Sequence, residues 1–204
     1  MSKHKELEIV GACLEVFKIL SGVSTYEKLP EAYPNVPFET KLDTINDYLE
    51  KKIQEYSRFA IFKKRPTLND FQPIFYYVRL NNEKSLLSGL PVGPESIVYI
   101  TMDTKQRQIS TPKKGPRQDK TFTDITGECI DYLVSDPLFV NGKVFGCIEY
   151  VLTKEPNEMT EQHLSYITEI LSPHIYSTLK LEELSTLVHN IKTVSYTHLT
   201  LPTN

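Results

Sequence analysis

The stretch that decides the fold runs from Pro137 to Tyr150 and reads PLFVNGKVFGCIEY. Two apolar runs flank Asn141-Gly142, the dipeptide that most readily takes the positive φ angles of a two-residue hairpin turn. The second run contains Gly146, and a glycine inside a strand usually marks a bulge or the close approach of another backbone. The sequence therefore predicts an antiparallel hairpin here.

Two helices are predicted upstream of this hairpin, one over residues 5–20 and one over residues 39–57. The second repeats apolar side chains at intervals of three and four, which gives one apolar stripe. The proline-containing segment between them indicates an irregular linker. Four apolar residues of the first helix share one face: Leu7, Val10, Leu14 and Phe17.

The middle of the chain changes to a strand-like pattern. Residues 59–62 form a short apolar run, and residues 73–80 are aromatic and β-branched, which predicts a central strand because both faces are apolar. A short helix is predicted over 83–88 and a further strand over 97–100. Residues 103–124 are polar and predict a surface loop or pocket lid, and residues 131–134 lead into the hairpin.

The hairpin is followed by a closing helix that is predicted to begin at Thr160, a suitable N-cap. Its apolar face comprises Leu164, Ile167 and Leu171. Ser172-Pro173 indicates either a kink or the start of a new helix. Beyond it, a 3-4-3 spacing is typical of a coiled-coil seam and involves Leu181, Leu184, Val188 and Ile191.

This order of elements, with Met159-Thr160-Glu161-Gln162-His163-Leu164 after the hairpin, resembles the GAF domain family. The resemblance implies an α+β fold in three layers, a central antiparallel sheet flanked by N- and C-terminal helices. We assign residues 1–38 to the N-terminal helix and linker, 39–179 to the GAF-like sensor domain and 180–193 to a coiled coil. Another antiparallel α+β sensor, such as a PAS-like domain, is the alternative.

The resemblance implies a cytoplasmic sensor that forms a homodimer through its terminal helices and binds a small molecule over the sheet. No signature of a particular ligand is present, since Cys129 is followed by Ile130 rather than by the histidine common at bilin attachment sites. We predict no cofactor and no metal, because the sequence contains no zinc-ligand spacing and no phosphate-cradling glycine loop.

The segment His189-Asn190-Ile191-Lys192-Thr193 resembles the phosphoacceptor box of sensor histidine kinases. The resemblance implies that His189 accepts a phosphoryl group, that Asn190 orients the imidazole and that Thr193 positions water for dephosphorylation. An acid is commoner than asparagine at the second position, and the usual following proline is Val194 here. The expected function is the sensing domain of a histidine kinase, with a response regulator as partner.

Two other functions fit the same fold. In one, the chain is a binding or dimerisation module of a non-kinase regulator: a cyclic-dinucleotide enzyme, a phosphatase or a transcription factor. His189 is then an ordinary surface residue. In the other, the chain is a small redox enzyme related to free-methionine-sulfoxide reductases that uses Cys129 and Cys147. Buried, inert cysteines are the simpler interpretation.

The charge, apolar runs and cysteines of the sequence further restrict the expected partners and cellular compartment. The 204 residues have a net charge of −3, and no apolar run approaches the roughly 18 residues of a membrane span, so neither nucleic acid nor a bilayer is the expected partner. Three widely separated cysteines suit a reducing compartment. Residues 195–204 (SYTHLTLPTN) resemble a translated sequencing adaptor, so we expect 194–204 to be an artefactual tail and the natural protein to continue past Thr193.

Overall fold

The Asn141-Gly142 hairpin is present in the computed structural model of the protein. Both turn residues have positive φ, 48° at Asn141 and 72° at Gly142, as a two-residue hairpin turn requires. Val140 pairs with Lys143 directly across the turn. The prediction that this dipeptide folds back one strand onto the next is confirmed.

The structure describes residues 3–21, 36–67, 70–79, 87–115, 122–124 and 130–199, with side chains from 9 to 190 within those ranges. The helices are α1 (Lys3–Ser21), α2 (Phe38–Lys52), α3 (Ile97–Thr104) and α4 (Glu158–Leu199). The strands are β1 (Tyr56–Pro66), β2 (Phe71–Val78), β3 (Gln108–Ser110), β4 (Tyr132–Val140) and β5 (Lys143–Leu152).

The five strands form one antiparallel sheet in the order β2-β1-β5-β4-β3. Helices α1, α2 and α4 pack on one face, around side chains such as Phe59, Ile148 and Tyr150. Helix α3 and neighbouring segments cover the other face, where Phe62 and Cys147 lie. The predicted three-layer α+β fold is confirmed.

Gly146 meets both expectations for a glycine inside a strand. Leu138 pairs with Gly146 and Phe139 pairs with Val144, so Phe145 is the additional residue of a β-bulge. On its other side, a Cβ added to Gly146 would lie 2.3 Å from the carbonyl oxygen of Phe62 on β1. The sheet therefore has room for a backbone at this position and none for a side chain.

The prediction of a strand at residues 97–100 is wrong, because these residues begin helix α3. Ser96 caps the helix by accepting a hydrogen bond from the backbone N–H of Tyr99, with its hydroxyl oxygen 3.1 Å away. Ile97 and Thr101, four residues apart, are both fully buried. Four consecutive apolar residues fit either a buried strand or a short buried helix, and the cap decides between them.

The prediction of a central position for β2 is also wrong, since β2 is an edge strand of the sheet. Its outer edge is covered by the segment that precedes α3. The backbone N–H of Val92 donates to the carbonyl of Pro73 at 2.9 Å, and Gly89 donates to Phe75 at 2.9 Å. This covering segment explains why an edge strand can be apolar on both faces.

Three predicted boundaries differ in the structure. Helix α2 ends at Lys52 instead of residue 57, and β1 already begins at Tyr56. The polar region 103–124 is not loop throughout, because α3 extends into it and β3 forms an edge strand there. The predicted helix at residues 83–88 lies mostly outside the described residues.

The start of α4 is one turn earlier than predicted. The side-chain oxygen of Asn157 accepts a hydrogen bond from the backbone N–H of Thr160 at 3.0 Å, so Asn157 is the N-cap and Thr160 is in the first turn. The helix then continues through Pro173 without interruption. The predicted buried face is confirmed, since Leu164, Ile167 and Leu171 are fully buried.

Candidate functional site

Helix α4 is the element that connects the domain core to the predicted phosphoacceptor segment. It is 42 residues long. Its first part is anchored on the sheet, and Ile175 and Leu179 extend the buried face. Beyond Leu179 the described side chains are all exposed up to Asn190. A single helix therefore runs from the packed core to an exposed arm.

The exposed arm displays a row of large apolar side chains. Leu181 is 67% exposed, and the following members of the row are at least half exposed: Leu184, Leu187 and Val188. Ile191, the last predicted member of the seam, has a described backbone only. Exposed apolar rows at this spacing are typical of helices that pair with another helix.

Helix α1 displays a second exposed apolar row. Val10, Leu14 and Phe17, which the sequence places on one face, are 50–62% exposed. The opposite face of α1 is packed into the core through Val16 and Ile19. The Phe17 ring also lies edge-on to the ring of His174 on α4, with centroids 6.2 Å apart.

The structure places all three predicted phosphoacceptor residues on helix α4, beyond the part that packs on the sheet. His189 and Asn190 are exposed, and Thr193 lies on the described helix backbone, with its side chain outside the described part. Positions 189 and 193 are four residues apart and therefore share one helix face. His189 is displaced by about 100° from Val188 around the helix axis, as 3.6 residues per turn requires.

A buried polar network, which the sequence did not indicate, joins the sheet to α4. The guanidinium of Arg107 donates two hydrogen bonds to the carboxylate of Asp136, from Nε to Oδ1 at 2.5 Å and from Nη2 to Oδ2 at 2.6 Å. A third donor, Nη1, reaches the backbone carbonyl of Glu161 in the first turn of α4 at 2.8 Å. Burial lowers the pKa of Arg107, but the hydrogen bonds to Asp136 and the attraction of its charge together raise this pKa above its ordinary value, so the cation is retained.

The same network continues through two hydroxyl groups. The Thr168 hydroxyl on α4 lies 3.0 Å from Oδ2 of Asp136 and 2.9 Å from the carbonyl oxygen of Leu164, and both of these oxygens can only accept its single proton. The Tyr150 hydroxyl lies 2.8 Å from the Thr168 oxygen and is therefore the donor of that bond. Burial, reinforced by the charge of Asp136, raises the pKa of Tyr150 well above its ordinary value and keeps the phenol protonated.

A second buried hub fixes α2 to the sheet. The side-chain amide of Asn46, which is fully buried, accepts hydrogen bonds from the hydroxyl of Tyr56 and from the backbone N–H of Phe59 at 2.9 Å. Its Nδ2 group lies 3.0 Å from the Tyr77 hydroxyl oxygen. A polar residue in an otherwise apolar stripe was the available sequence signal for this hub.

The sheet face beneath α3 is packed with apolar side chains over the described residues. Cys147 lies there with no exposed surface, and its sulfur is 4.0 Å from the carbonyl oxygen of Val98. Burial raises the pKa of the Cys147 thiol well above its ordinary value. The other proposed redox residue, Cys129, lies outside the described residues, so the distance between the two sulfurs is untested.

We expect Cys147 to be unreactive in the folded protein. The raised pKa leaves almost no thiolate at pH 8, and thiolate is the form that reacts. Cys13, which is partly exposed and whose pKa is raised by burial and by Glu169, should react measurably faster with iodoacetamide. Mass spectrometry of timed native samples measures both rates. Comparable rates for Cys147 and Cys13 would contradict the prediction.

An open cleft of about 810 Å³ lies where α1, the end of α2 and the first turn of α4 meet. Glu55 forms part of its wall and holds the start of α4. One carboxylate oxygen accepts from Thr160 at 3.2 Å, and the other lies 3.3 Å from both Asn157 and Lys154. Burial favours a raised pKa, but these contacts and a backbone hydrogen bond lower the pKa of Glu55 below its ordinary value.

This lowered pKa makes Glu55 a source of pH-dependent stability. A carboxyl whose pKa is lower in the folded state stabilises the fold above its unfolded pKa, and the contribution is lost as pH falls through the folded pKa. We therefore expect Glu55→Gln to be destabilising at pH 7 and to converge with the parent protein as pH falls below about 4. Urea unfolding at several pH values measures this difference.

The control for this experiment is Glu50→Gln, because Glu50 is an exposed glutamate on α2. Its substitution should leave the free energy of unfolding within about 0.5 kcal/mol of the parent, as surface changes usually do. If the free energy of unfolding differs between Glu55→Gln and the parent by the same amount from pH 7 to pH 3, Glu55 is not a source of pH-dependent stability.

Within the described ranges, no group of His, Cys, Asp and Glu side chains is arranged to hold a metal ion. The helices described here also include none with the length and apolar character needed to cross a membrane.

Comparisons with known proteins define the class of fold. Neither a protein family model nor a curated protein matches the chain. Solved structures do match. The GAF domain of an Acinetobacter phosphoenolpyruvate-protein phosphotransferase has a TM-score of 0.56 at 14% identity and covers 88% of this chain and 97% of its own. Residues 122 to 287 of a methyl-accepting chemotaxis protein have a TM-score of 0.58 at 13% identity, with 81% of this chain and 98% of that chain covered.

The free methionine-R-sulfoxide reductase of Neisseria meningitidis, solved with its substrate, is similar to the same degree. Its TM-score is 0.54 at 11% identity, with 89% of this chain and 95% of that chain covered. The chain thus has the fold of GAF domains. At these identities the likeness establishes the fold alone, and the same fold occurs in signalling domains and in an enzyme.

Proposed function

We propose that the chain is the sensing domain of a cytoplasmic signal-transduction protein that dimerises through α1 and α4. In this proposal α4 leads into a histidine kinase whose phosphoacceptor is His189, assisted by Asn190 and Thr193. A response regulator would be the protein partner, and a small molecule would be the signal. Ligand binding would shift the packing of α4, and the paired helices would transmit that shift.

The observation that supports this proposal most directly is the continuity of α4. The helix is buried against the sheet at Leu171 and Ile175, and it is exposed and apolar at Leu184 and Val188, about two and a half and three and a half turns after Ile175. A long exposed apolar row on a helix is costly unless another helix covers it. The outward row of α1 provides additional apolar surface for the same contact.

Dimerisation can be tested with the chain itself. We expect sedimentation equilibrium to give a dimer, and Leu184→Glu to shift it to a monomer because a charge would be placed in the pairing face. Ser185→Glu, one position away on the same exposed arm, is the matched control and should remain dimeric. A monomeric parent chain at tens of micromolar would contradict pairing through α4.

The kinase part of the proposal is tested separately. The coding sequence downstream of Thr193 should encode a proline, a second helix and an ATP-binding domain. In that full-length protein, His189→Gln should abolish acid-labile phosphorylation, whereas Glu183→Gln, at another exposed position of α4, should retain it. A different downstream catalytic or DNA-binding domain would favour the non-kinase regulator, in which His189 is an ordinary exposed residue.

The redox alternative is less well supported. A catalytic thiol must be accessible and must ionise readily, whereas Cys147 is buried and its pKa is raised. If the parent chain reduces methionine sulfoxide and Cys147→Ser abolishes that activity, the enzyme is favoured over the sensor.

A further inference from the structure

Arg107 lies at the edge of the sheet, between the helix on one face and the helix on the other. It sits in the short connection between α3, which ends at Thr104, and β3, which begins at Gln108. Helix α3 packs on one face of the sheet and α4 on the other. The left-handed conformation of Lys105, with φ of 58°, ends α3 and turns the chain toward the sheet edge.

The three-residue strand β3 brings Arg107 beside Asp136. Gln108 pairs with Ser135 on β4, so the residue before Gln108 lies next to the residue after Ser135 in this antiparallel pair. The side chain of Asp136 points to the α4 face, since its carboxylate accepts from Thr168. Arg107 therefore begins on the α3 side of the edge and ends, through its guanidinium, on the backbone of α4 at Glu161.

We propose that Arg107 is the coupling residue through which displacement of α3 reaches the first turns of α4. The proposal rests on the proposed function in one respect, that α4 is the output helix. Nothing in it depends on the ligand, on dimerisation or on the identity of the output domain.

The physical reason is that the contacts of Arg107 are difficult to break one at a time. Asp136 is 5% exposed, and a buried carboxylate that loses its cation is strongly disfavoured. The planar guanidinium fork fixes both distance and orientation, unlike an ammonium group. Arg107, Asp136 and Thr168 should therefore move as one unit, and a shift of α3 should change the position of α4 instead of separating the ion pair.

The test needs a disturbance on the α3 side and a measurement on the α4 side. Met102→Ala provides the disturbance, because Met102 belongs to α3, its side chain is 1% exposed, and its truncation leaves space between α3 and the sheet. Hydrogen exchange of the amides of residues 161–171 provides the measurement. We expect Met102→Ala to accelerate this exchange at least about fivefold relative to the amides of α2, the lower end of typical allosteric coupling. The ratio to α2 removes any effect of global unfolding.

The same disturbance is then repeated in two backgrounds. Arg107→Lys keeps the charge and removes the fork. Thr168→Val removes only the contact between Asp136 and α4, without leaving a charge unpaired, and keeps the contact of Arg107 with the Glu161 carbonyl. The effect of Met102→Ala on the α4 to α2 ratio should fall to less than about twofold in Arg107→Lys, below the coupling factors typical of allostery, and should fall by a smaller amount in Thr168→Val.

The chain offers a matched control for these backgrounds. Arg79 pairs with Asp47 and donates to the carbonyl of Asp43 at 3.3 Å, so it binds α2 in the way that Arg107 binds α4. In an Arg79→Lys background the effect of Met102→Ala on the α4 amides should persist. An effect that is absent in the parent, or that stays above about twofold in the Arg107→Lys background, would overturn the proposal. The outcome is independent of the dimerisation and phosphorylation experiments.

Discussion

Replacing Arg107 with alanine is expected to lower the free energy of unfolding by about 3 kcal/mol, the lower end of the cost of breaking a buried ion pair from one side, because the Arg107 side chain is 24% exposed. Two short hydrogen bonds to Asp136 and one to the carbonyl of Glu161 are lost together. Asp136 is then left buried, with Thr168 as its remaining described donor. Chemical denaturation of the two proteins at pH 7 measures the difference.

Two further variants separate this effect from ordinary loss of charge. Lys180 forms an ion pair with Glu183 in which both side chains are about half exposed, so Lys180→Ala should leave the free energy of unfolding nearly unchanged. The double variant Arg107→Met with Asp136→Leu should regain most of the stability, because no buried charge is left without its partner. A loss below about 1 kcal/mol for Arg107→Ala would contradict the description of this pair as buried.

The hairpin was predictable because its signal is local. Asn141 and Gly142 favour positive φ angles whatever surrounds them, and the two apolar runs extend directly from the turn. The buried face of α4 was equally predictable, because the spacing of three and four residues between its apolar side chains follows the helix period. Such signals need no knowledge of which strands are neighbours in the sheet.

The Arg107 network could not be predicted in the same way. Arg107 and Asp136 are 29 positions apart, and their contact depends on the register of β3 against β4. Strand β3 has three residues inside a polar region, too few to show an alternating pattern. Sequence patterns report which face of an element is apolar, but not which residue of a later element lies opposite.

Helix α1 illustrates a related difficulty. The row of Val10, Leu14 and Phe17 follows the helical period, yet the structure buries the opposite face through Val16 and Ile19. Both faces are apolar, so periodicity alone cannot tell which one meets the sheet. The outward row is consistent with the proposal of a second chain against α1, because an apolar face not used in the core is available for pairing.

The second large effect is expected at Gly146. In Gly146→Ala the new Cβ would lie 2.3 Å from the carbonyl oxygen of Phe62, well inside van der Waals contact. The obstructing atom belongs to the backbone of β1, which is paired on both sides with β2 and β5 and cannot move away without losing ladder hydrogen bonds. We expect a loss of about 3 kcal/mol or more in the free energy of unfolding, the upper end of overpacking effects.

Gly11 is the matched control for this substitution. It lies within α1, and a Cβ added there would have no atom within 4 Å. Gly11→Ala should therefore stabilise the protein by about 0.5–1 kcal/mol, because alanine loses less conformational entropy than glycine in a helix. Both variants add the same methyl group, so their opposite signs in urea unfolding would isolate the close approach between β1 and β5. Equal small effects would contradict the close approach of the Gly146 and Phe62 backbones.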